Sequence, residues 1–286
     1  MALFDDVLLT VDFDRTLTAP DTTIPARNLE AIHYFVENGG VFTLNTGRST
    51  NTMGQRLTTI PVNAPFLLYN GSAAYDVQTQ QLCQVKEIDL DVWRTMEEVH
   101  HAFPELNLEI QGVKTHYLYH AEEKYVQFYD AQGFSYEWAT PGTDMGPFIK
   151  FTIFGNTYRP DGGMAQFFTG TEEELRRIDE AEAWLNQRYG HKAVVFRAGP
   201  RILDIHSKGV SKLNSARELQ RKLGRRILVC VGDAENDLTM MQGADYAFCP
   251  ADGVIANAFP NVCNCAEGAV ADVIYKEIPA ILQNKT

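Results

Sequence analysis

Several things are scarce in this sequence, and each scarcity removes a class of protein. No apolar run approaches the ~18 residues needed to cross a bilayer, and the first, Val7–Val11, is short and has no basic stretch before it. Membrane insertion and signal-peptide secretion are therefore not expected. Basic residues are outnumbered, 25 Lys and Arg against 37 Asp and Glu, for a net charge of −12. Such a surface repels nucleic acid and anionic lipid, so neither a nucleic acid nor a membrane is expected as a partner. There are five cysteines (Cys83, Cys230, Cys249, Cys263, Cys265), an odd number with no zinc spacing. Cys263-x-Cys265 reads as two ordinary thiols, no disulfide framework is implied, and a reducing cytoplasm is the expected location. Neither an internal repeat nor a low-complexity tract is visible.

What is present is a foldable chain. Apolar residues make up 45% and charged residues 22%, too apolar for disorder. At 286 residues, one core plus an inserted or appended second domain is the natural expectation. Val7–Val11 reads as a buried strand ending at Asp12. Residues 25–38 have helical spacing (Leu29, Ile32, Phe35, Val36) with Gly39-Gly40 as the stop, and 41–45 form a second apolar strand ending in Thr46-Gly47-Arg48. Residues 49–59 look helical, and 66–69 read as a third strand with an Asn70-Gly71 turn behind it. This alternation predicts a parallel sheet covered on both faces. From about 83 to 200 the chain is richer in aromatics, with helices expected near 89–102 and 171–189, a strand at 148–154 and an irregular loop over 155–170. The parallel pattern returns with a helix at 212–223, a strong strand at 226–231 tipped by Gly232-Asp233, and two short strands near 244–248 and 261–265. The expected architecture is a Rossmann-like, doubly wound α/β core (1–82 and 201–286) carrying an inserted α+β cap (83–200).

Open parallel sheets bind ligands beyond the carboxyl ends of their strands. Three strands here end in polar clusters: Asp12-Phe-Asp14-Arg-Thr16, Thr46-Gly47-Arg48, and Gly232-Asp233-Ala-Glu-Asn236-Asp237. Asp12, Asp14 and Asp233 together would make a hard oxygen site suited to Mg²⁺. Thr16, Thr46 and backbone N–H groups would hold phosphoryl oxygens, and Lys212 would complete the charge balance. Asp12 would then attack phosphorus to form an aspartyl phosphate, with Asp14 protonating the leaving oxygen and later deprotonating water. Bland readings exist for single residues: Thr46 as a helix cap, Asp237 as a first-turn acid, and Lys208 as a rival to Lys212. Arg48 either pairs with a core acid or touches phosphate. His100, His101, His116 and His120 read as solvated or cap-surface residues rather than a transition-metal site.

The segment Asp12-Phe-Asp14-Arg-Thr16-Leu17 resembles motif one of the haloacid dehalogenase superfamily. Thr46-Gly-Arg48 resembles motif two, and Gly232-Asp233-Ala-Glu-Asn236-Asp237 motif four. The Asn70-Gly71 turn and Gly209-Val-Ser-Lys212 narrow the resemblance to the Cof-type phosphatases. It implies a nucleophile at Asp12, an acid/base at Asp14, and phosphate contacts from Thr46, Gly47, Asn236 and Lys212. It also implies Mg²⁺ ligation by Asp12, the backbone carbonyl of Asp14 and Asp233, with Asp237 in the outer shell. A cap closing over the core would choose the substrate, a small phosphorylated metabolite such as a sugar phosphate, and the chain would act as a monomer or small homo-oligomer. The alternatives are a phosphotransferase or phosphomutase, or a non-catalytic phosphometabolite-binding protein. Two positions depart from the family: Arg15 and Leu213 stand where glycine is usual.

Overall fold

The computed structural model describes residues 2–155 and 169–284, so most of the irregular loop read over 155–170, with Pro160, Gly162 and Gly163, lies outside the described residues. Two compact units emerge: Met1–Cys83 with Ser211–Thr286, and Gln84–Val210. The second boundary differs from the expected 200/201. Residues Ile202–Ser207 form a strand that pairs on both sides within the inserted unit, so they belong to it rather than to the core.

The first unit begins with β1 (Val7–Val11), α1 (Ala26–Glu37) and β2 (Val41–Leu44). Every residue of β1 and β2 is buried, as two-sided coverage of a parallel sheet requires. Helix α1 turns Ala31, Ile32 and Phe35 inward, and Gly39 leaves it at φ 91°, a left-handed turn that suits glycine. Two short helices follow, α2 (Thr50–Met53) and α3 (Arg56–Thr59). Ser49 caps α2 reciprocally with Thr52. Then come β3 (Phe66–Leu68), β4 (Ala73–Asp76) and β5 (Gln81–Cys83). These three form their own antiparallel sheet rather than extending the parallel one as expected. The reason is local: Tyr69, Asn70 and Gly71 all have positive φ (53°, 55° and 90°) and reverse the chain at once. β3 keeps one parallel bridge to the end of β2, Asn45 to Leu67.

The inserted unit contains α4 (Val92–Ala102), β6 (Asn107–Gly112), β7 (His116–Tyr119), α5 (Glu123–Gln132), β8 (Tyr136–Trp138), β9 (Phe148–Phe154), α6 (Glu172–Tyr189), β10 (Ala193–Gly199) and β11 (Ile202–Ser207). Its sheet has the order β10-β11-β9-β6-β7-β8, antiparallel except for β7–β8. Period-two alternation gives one face Leu108, Ile110, Phe151, Ile153, Leu203 and Ile205. These pack with Met96 and Val99 of α4 and Ile178, Ala181 and Leu185 of α6. The opposite set, Glu109, Gln111, Lys150, Thr152, Asp204 and His206, is polar yet no more than 6% exposed. Much of it pairs internally: Lys150 Nζ lies 3.0 Å from Asp204 Oδ2, Thr152 donates to Asp204 Oδ1 at 3.0 Å, and Tyr125 donates to Glu109 Oε2 at 2.5 Å, while Gln111 Oε1 has no partner among the described residues. Helix α5 went unread in the sequence, although Tyr125, Phe128 and Tyr129 have helical spacing and pack on Leu118.

The chain then returns to the first unit with α7 (Lys212–Lys222), β12 (Ile227–Val231), α8 (Leu238–Gln242), β13 (Tyr246–Pro250), β14 (Asn261–Val262), α9 (Ala269–Asp272) and α10 (Ile278–Gln283). The core sheet has the order β14-β13-β12-β1-β2, with every pair parallel. From β1 the chain winds to β2 on one side, and from β12 it winds to β13 and β14 on the other. The β1–β12 junction is thus where the winding reverses, the place where such sheets bind ligands. Among the described residues no helix is long and apolar enough to cross a membrane.

Candidate active site

Register decides where the polar clusters emerge. Val11 lies level with Val231 of β12 and with Leu44 of β2. The next residues, Asp12, Gly232 and Asn45, therefore leave the sheet side by side at its carboxyl edge. Lys212 enters from the first turn of α7, whose N-cap Ser211 accepts from Asn214 N–H at 3.1 Å. Its ammonium, 1% exposed, donates to Asp12 Oδ1 at 2.6 Å and to Asp237 Oδ1 at 2.7 Å. The other Asp237 oxygen accepts from the N–H groups of Asp233 (3.1 Å) and Ala234 (3.2 Å). Gly232 is glycine for the same reason: a Cβ there would lie 2.6 Å from the Asp237 Cγ. Thr16 donates to Asp233 Oδ1 at 3.0 Å, so its hydroxyl, which the sequence reading offered to phosphate, orients Asp233.

Carboxylate oxygens of Asp12, Asp233 and Asp237 lie within 4.8 Å of one another, and all three residues are buried. Burial pushes the Asp12 carboxyl up to about 7, with the Asp237 and Asp14 charges adding and Lys212 opposing. Burial likewise pushes Asp233 up to about 8, helped by the Asp12 and Asp237 charges and opposed by Thr16 and Lys212. For Lys212 burial acts downward, but Asp12 and Asp237 outweigh it and hold the ammonium above its ordinary range. Three carboxylates facing one ammonium leave a surplus of negative charge that a divalent cation would balance. The donor set is all oxygen, which suits Mg²⁺. Asp237 has one oxygen on Lys212 and the other on two N–H groups, so Asp12 and Asp233 are the better placed direct ligands.

The Asp14 carboxylate is not in this cluster. Arg48 takes both of its oxygens, Nε on Oδ2 at 2.7 Å and Nη2 on Oδ1 at 2.6 Å. The side chain of Asp14 is therefore not placed as a metal ligand, which leaves its backbone carbonyl for that part. Thr46 is 1% exposed, and its hydroxyl accepts from Arg48 N–H at 3.2 Å. Its backbone is clasped by Leu67 O at 3.0 Å and Asn70 N–H at 2.9 Å. Gly47 packs beneath Asn70, whose Oδ1 would lie 3.0 Å from a Cβ at Gly47. Asn236 is half-buried on the turn Glu235–Asp237. Arg15 does occupy a left-handed conformation, φ 58° and ψ 12°, at a cost of about 1–2 kcal/mol for a non-glycine residue.

Of the four histidines expected on the surface, His101 and His120 are exposed and His100 is half-buried, but His116 is not on the surface. His116 is 1% exposed, with Nδ1 2.9 Å from Glu109 Oε1 and 2.7 Å from the Tyr129 hydroxyl; a buried acid drew it inward. His100 stacks on His120 with ring centroids 4.1 Å apart. One residue beside the polar loops at the sheet edge was not singled out from sequence. Asn45 donates from Nδ2 to the Lys212 carbonyl at 2.7 Å. A polar residue closing an apolar strand just before Thr46-Gly47-Arg48 was the available signal.

The profile of haloacid dehalogenase-like hydrolases matches residues 9–273. An uncharacterized hydrolase of Schizosaccharomyces pombe is 24% identical over 94% of this chain and 90% of its own. A haloacid dehalogenase-like hydrolase from Bacteroides thetaiotaomicron superposes with a TM-score of 0.77 at 21% identity, covering 94% of this chain and 98% of the other. A sugar phosphatase of haloacid dehalogenase subclass IIB does so with a TM-score of 0.75 at 17% identity, covering 95% and 99%. With its parallel core sheet, its separate largely antiparallel sheet and a profile match across most of its length, the chain belongs to the haloacid dehalogenase-like hydrolase family.

Proposed function

We propose that this protein is a Mg²⁺-dependent phosphomonoesterase that hydrolyses small phosphorylated metabolites, with Asp12 as covalent nucleophile. The observation that carries the reading is the buried cluster of Asp12, Asp233 and Asp237 at the carboxyl edge of the core sheet, with the Lys212 ammonium bridging Asp12 and Asp237. An Asp12 oxygen attacks phosphorus and the bond to the leaving oxygen breaks, giving an aspartyl phosphate. Asp14 gives the leaving oxygen a proton, then takes one from the water that attacks phosphorus, releasing inorganic phosphate and restoring Asp12. Lys212 holds Asp12 in place and offsets phosphoryl charge, with Thr46, Gly47 and Asn236 as further phosphate contacts. Mg²⁺ held by Asp12, Asp233 and the Asp14 carbonyl, with Asp237 behind, would keep the carboxylates ionised and neutralise the phosphate.

Sugar phosphates are the proposed substrate class, in keeping with the sugar phosphatase among the structural relatives. The net charge of −12 argues against nucleic acid or anionic membrane as partner, and five free cysteines fit a reducing cytoplasm. The test is phosphate release from a panel of phosphomonoesters, with MgCl₂ and with EDTA, for wild type and Asp12→Asn. Release should need Mg²⁺ and fall by at least about a thousandfold in Asp12→Asn. Wild type that binds sugar phosphates without releasing phosphate under any condition would defeat the hydrolase reading. Transfer of the phosphoryl group to an added sugar in preference to water would make it a phosphotransferase.

A further inference from the structure

We infer that Asn45 is a positioning residue for Lys212, an inference that rests on the phosphomonoesterase reading above. Asn45 is fully buried at the tip of β2. Its backbone N–H donates to Val11 O at 2.9 Å, and its backbone bridges to Leu67. Three strand ends therefore hold its Cα still. From that fixed point the side-chain Nδ2 donates to the Lys212 carbonyl at 2.7 Å and reaches Ser215 Oγ at 3.4 Å. One side chain thus ties the strand that carries Thr46 to the first turn of the helix that carries Lys212. Because a carbonyl can only accept, the contact also fixes which end of the amide faces α7.

Asn45 Oδ1 is buried and has no hydrogen-bond partner among the described residues. Leaving such an acceptor unmade costs about 1–3 kcal/mol, and an apolar residue of similar size would avoid it. Along β2, Val41, Phe42 and Leu44 are apolar and buried, and the buried Thr43 differs from Asn45 in that its hydroxyl donates to Pro65 O at 2.7 Å. A position serving packing alone would follow the three apolar residues. What asparagine supplies instead is the donor that anchors the start of α7. That start sets where the Lys212 ammonium lies, 2.6 Å from Asp12 and 2.7 Å from Asp237. A shift of about 1 Å would break the balance between the two carboxylates, and misplacements of that size lower turnover by as much as about a hundredfold.

The experiment is a double-mutant cycle. Asn45→Ala and Asn45→Ser are made in the wild-type and Lys212→Arg backgrounds. Each is assayed for phosphate release from p-nitrophenyl phosphate with MgCl₂, with thermal unfolding measured alongside. In the wild-type background Asn45→Ala should lower kcat about tenfold while KM changes by less than about threefold. In the Lys212→Arg background the same substitution should lower kcat by less than about twofold, because the group it acts through is already gone. Equal factors in both backgrounds, or an unchanged kcat, would overturn the inference. Should Asn45→Ala fail to fold, Asn45→Ser is read against the same two outcomes. Wild type that turns over no phosphomonoester at all would overturn the inference together with the reading beneath it, whereas an active wild type with an additive cycle removes the inference alone.

Discussion

Arg48 holds both carboxylate oxygens of Asp14, with its Nε 2.7 Å from Oδ2 and its Nη2 2.6 Å from Oδ1. The remaining arm, Nη1, donates to Thr52 O at 3.0 Å, and the guanidinium lies over the Phe13 ring at 5.0 Å. Every arm of the fork is thus engaged. The pair joins the loop after β1 to the loop after β2 and fixes the plane of the carboxylate. In the proposed reaction that plane determines how the acid/base meets the leaving oxygen.

Arg48→Lys tests this pairing. A lysine keeps the charge but cannot make two parallel hydrogen bonds to one carboxylate. Turnover of an alkyl phosphate should fall on the order of ten- to a hundredfold with the fold intact by circular dichroism. Steady-state phosphate release checks it, and activity within about twofold of wild type would mean that Asp14 does not need the fork.

Metal and pH should be linked through the buried carboxylates. Asp12 and Asp233 are raised to about 7 and about 8 in the folded chain. Raised carboxyls hold protons that the unfolded chain gives up near 4, so their contribution to stability is full below that range. It is lost as pH rises through about 7 and then about 8. In EDTA the melting temperature should fall between about pH 6 and about pH 8.5. Mg²⁺ competes with protons for the same oxygens and should restore more of it at the higher pH, by about 2.7 kcal/mol at a hundredfold excess over Kd. Thermal unfolding in EDTA and in MgCl₂ measures both. A Mg²⁺ effect that is absent, or equal at both pH values, would remove this cluster as the metal site.

The inserted unit carries the opposite sign at His206. Burial, reinforced by the Lys150 charge, pushes this imidazole well below its ordinary value of 6.5. It stays neutral in the folded state while the unfolded chain takes up a proton near pH 6.5. Its contribution is therefore complete above that pH and declines as pH falls below it. The decline is about 1.4 kcal/mol per pH unit until the folded-state value is reached. Urea unfolding of wild type and His206→Gln across that window isolates the histidine. The gap between the two should narrow as pH falls, and a constant gap would mean that the buried ring is protonated in the folded protein.

Much of this was legible from residue order, because the signals are local. Apolar runs that stop at an acid mark β1 and β12. The 3.6-residue spacing of Leu29, Ile32, Phe35 and Val36 marks α1, and chemistry gathers where parallel strands end. Asp12, Thr46, Asp233 and Asp237 could be named as members of strand-end clusters, and Lys212 through the family spacing of Gly209-Val-Ser-Lys212. Other elements gave weaker or conflicting signals. Helix α5 hid in an aromatic-rich stretch of strand-favouring residues, although Tyr125, Phe128 and Tyr129 have helical spacing. β3 looked like another parallel strand because it follows a strand–helix alternation, and the Asn70-Gly71 turn read behind it did not show that the chain would pair straight back onto it as β4. β11 was assigned to the core because its partners, β9 and β10, are known only from pairing.

The sequence by itself determined the layered α/β core, the interruption by a second unit and the kinds of side chain at the strand ends, since propensity, period and residue type act within a few positions. Only the tertiary structure decided which partners those side chains take. Lys212 meets Asp12 across 200 positions of sequence, and Thr16 meets Asp233 across 217. Arg48 takes Asp14 rather than standing free for phosphate, His116 turns inward to Glu109, and Asn45 reaches the start of α7. Each of these outcomes depends on the register that sets Val11 level with Leu44 and Val231, or on packing within one sheet. Register is an energy balance summed over whole strands, so it is written in no single segment.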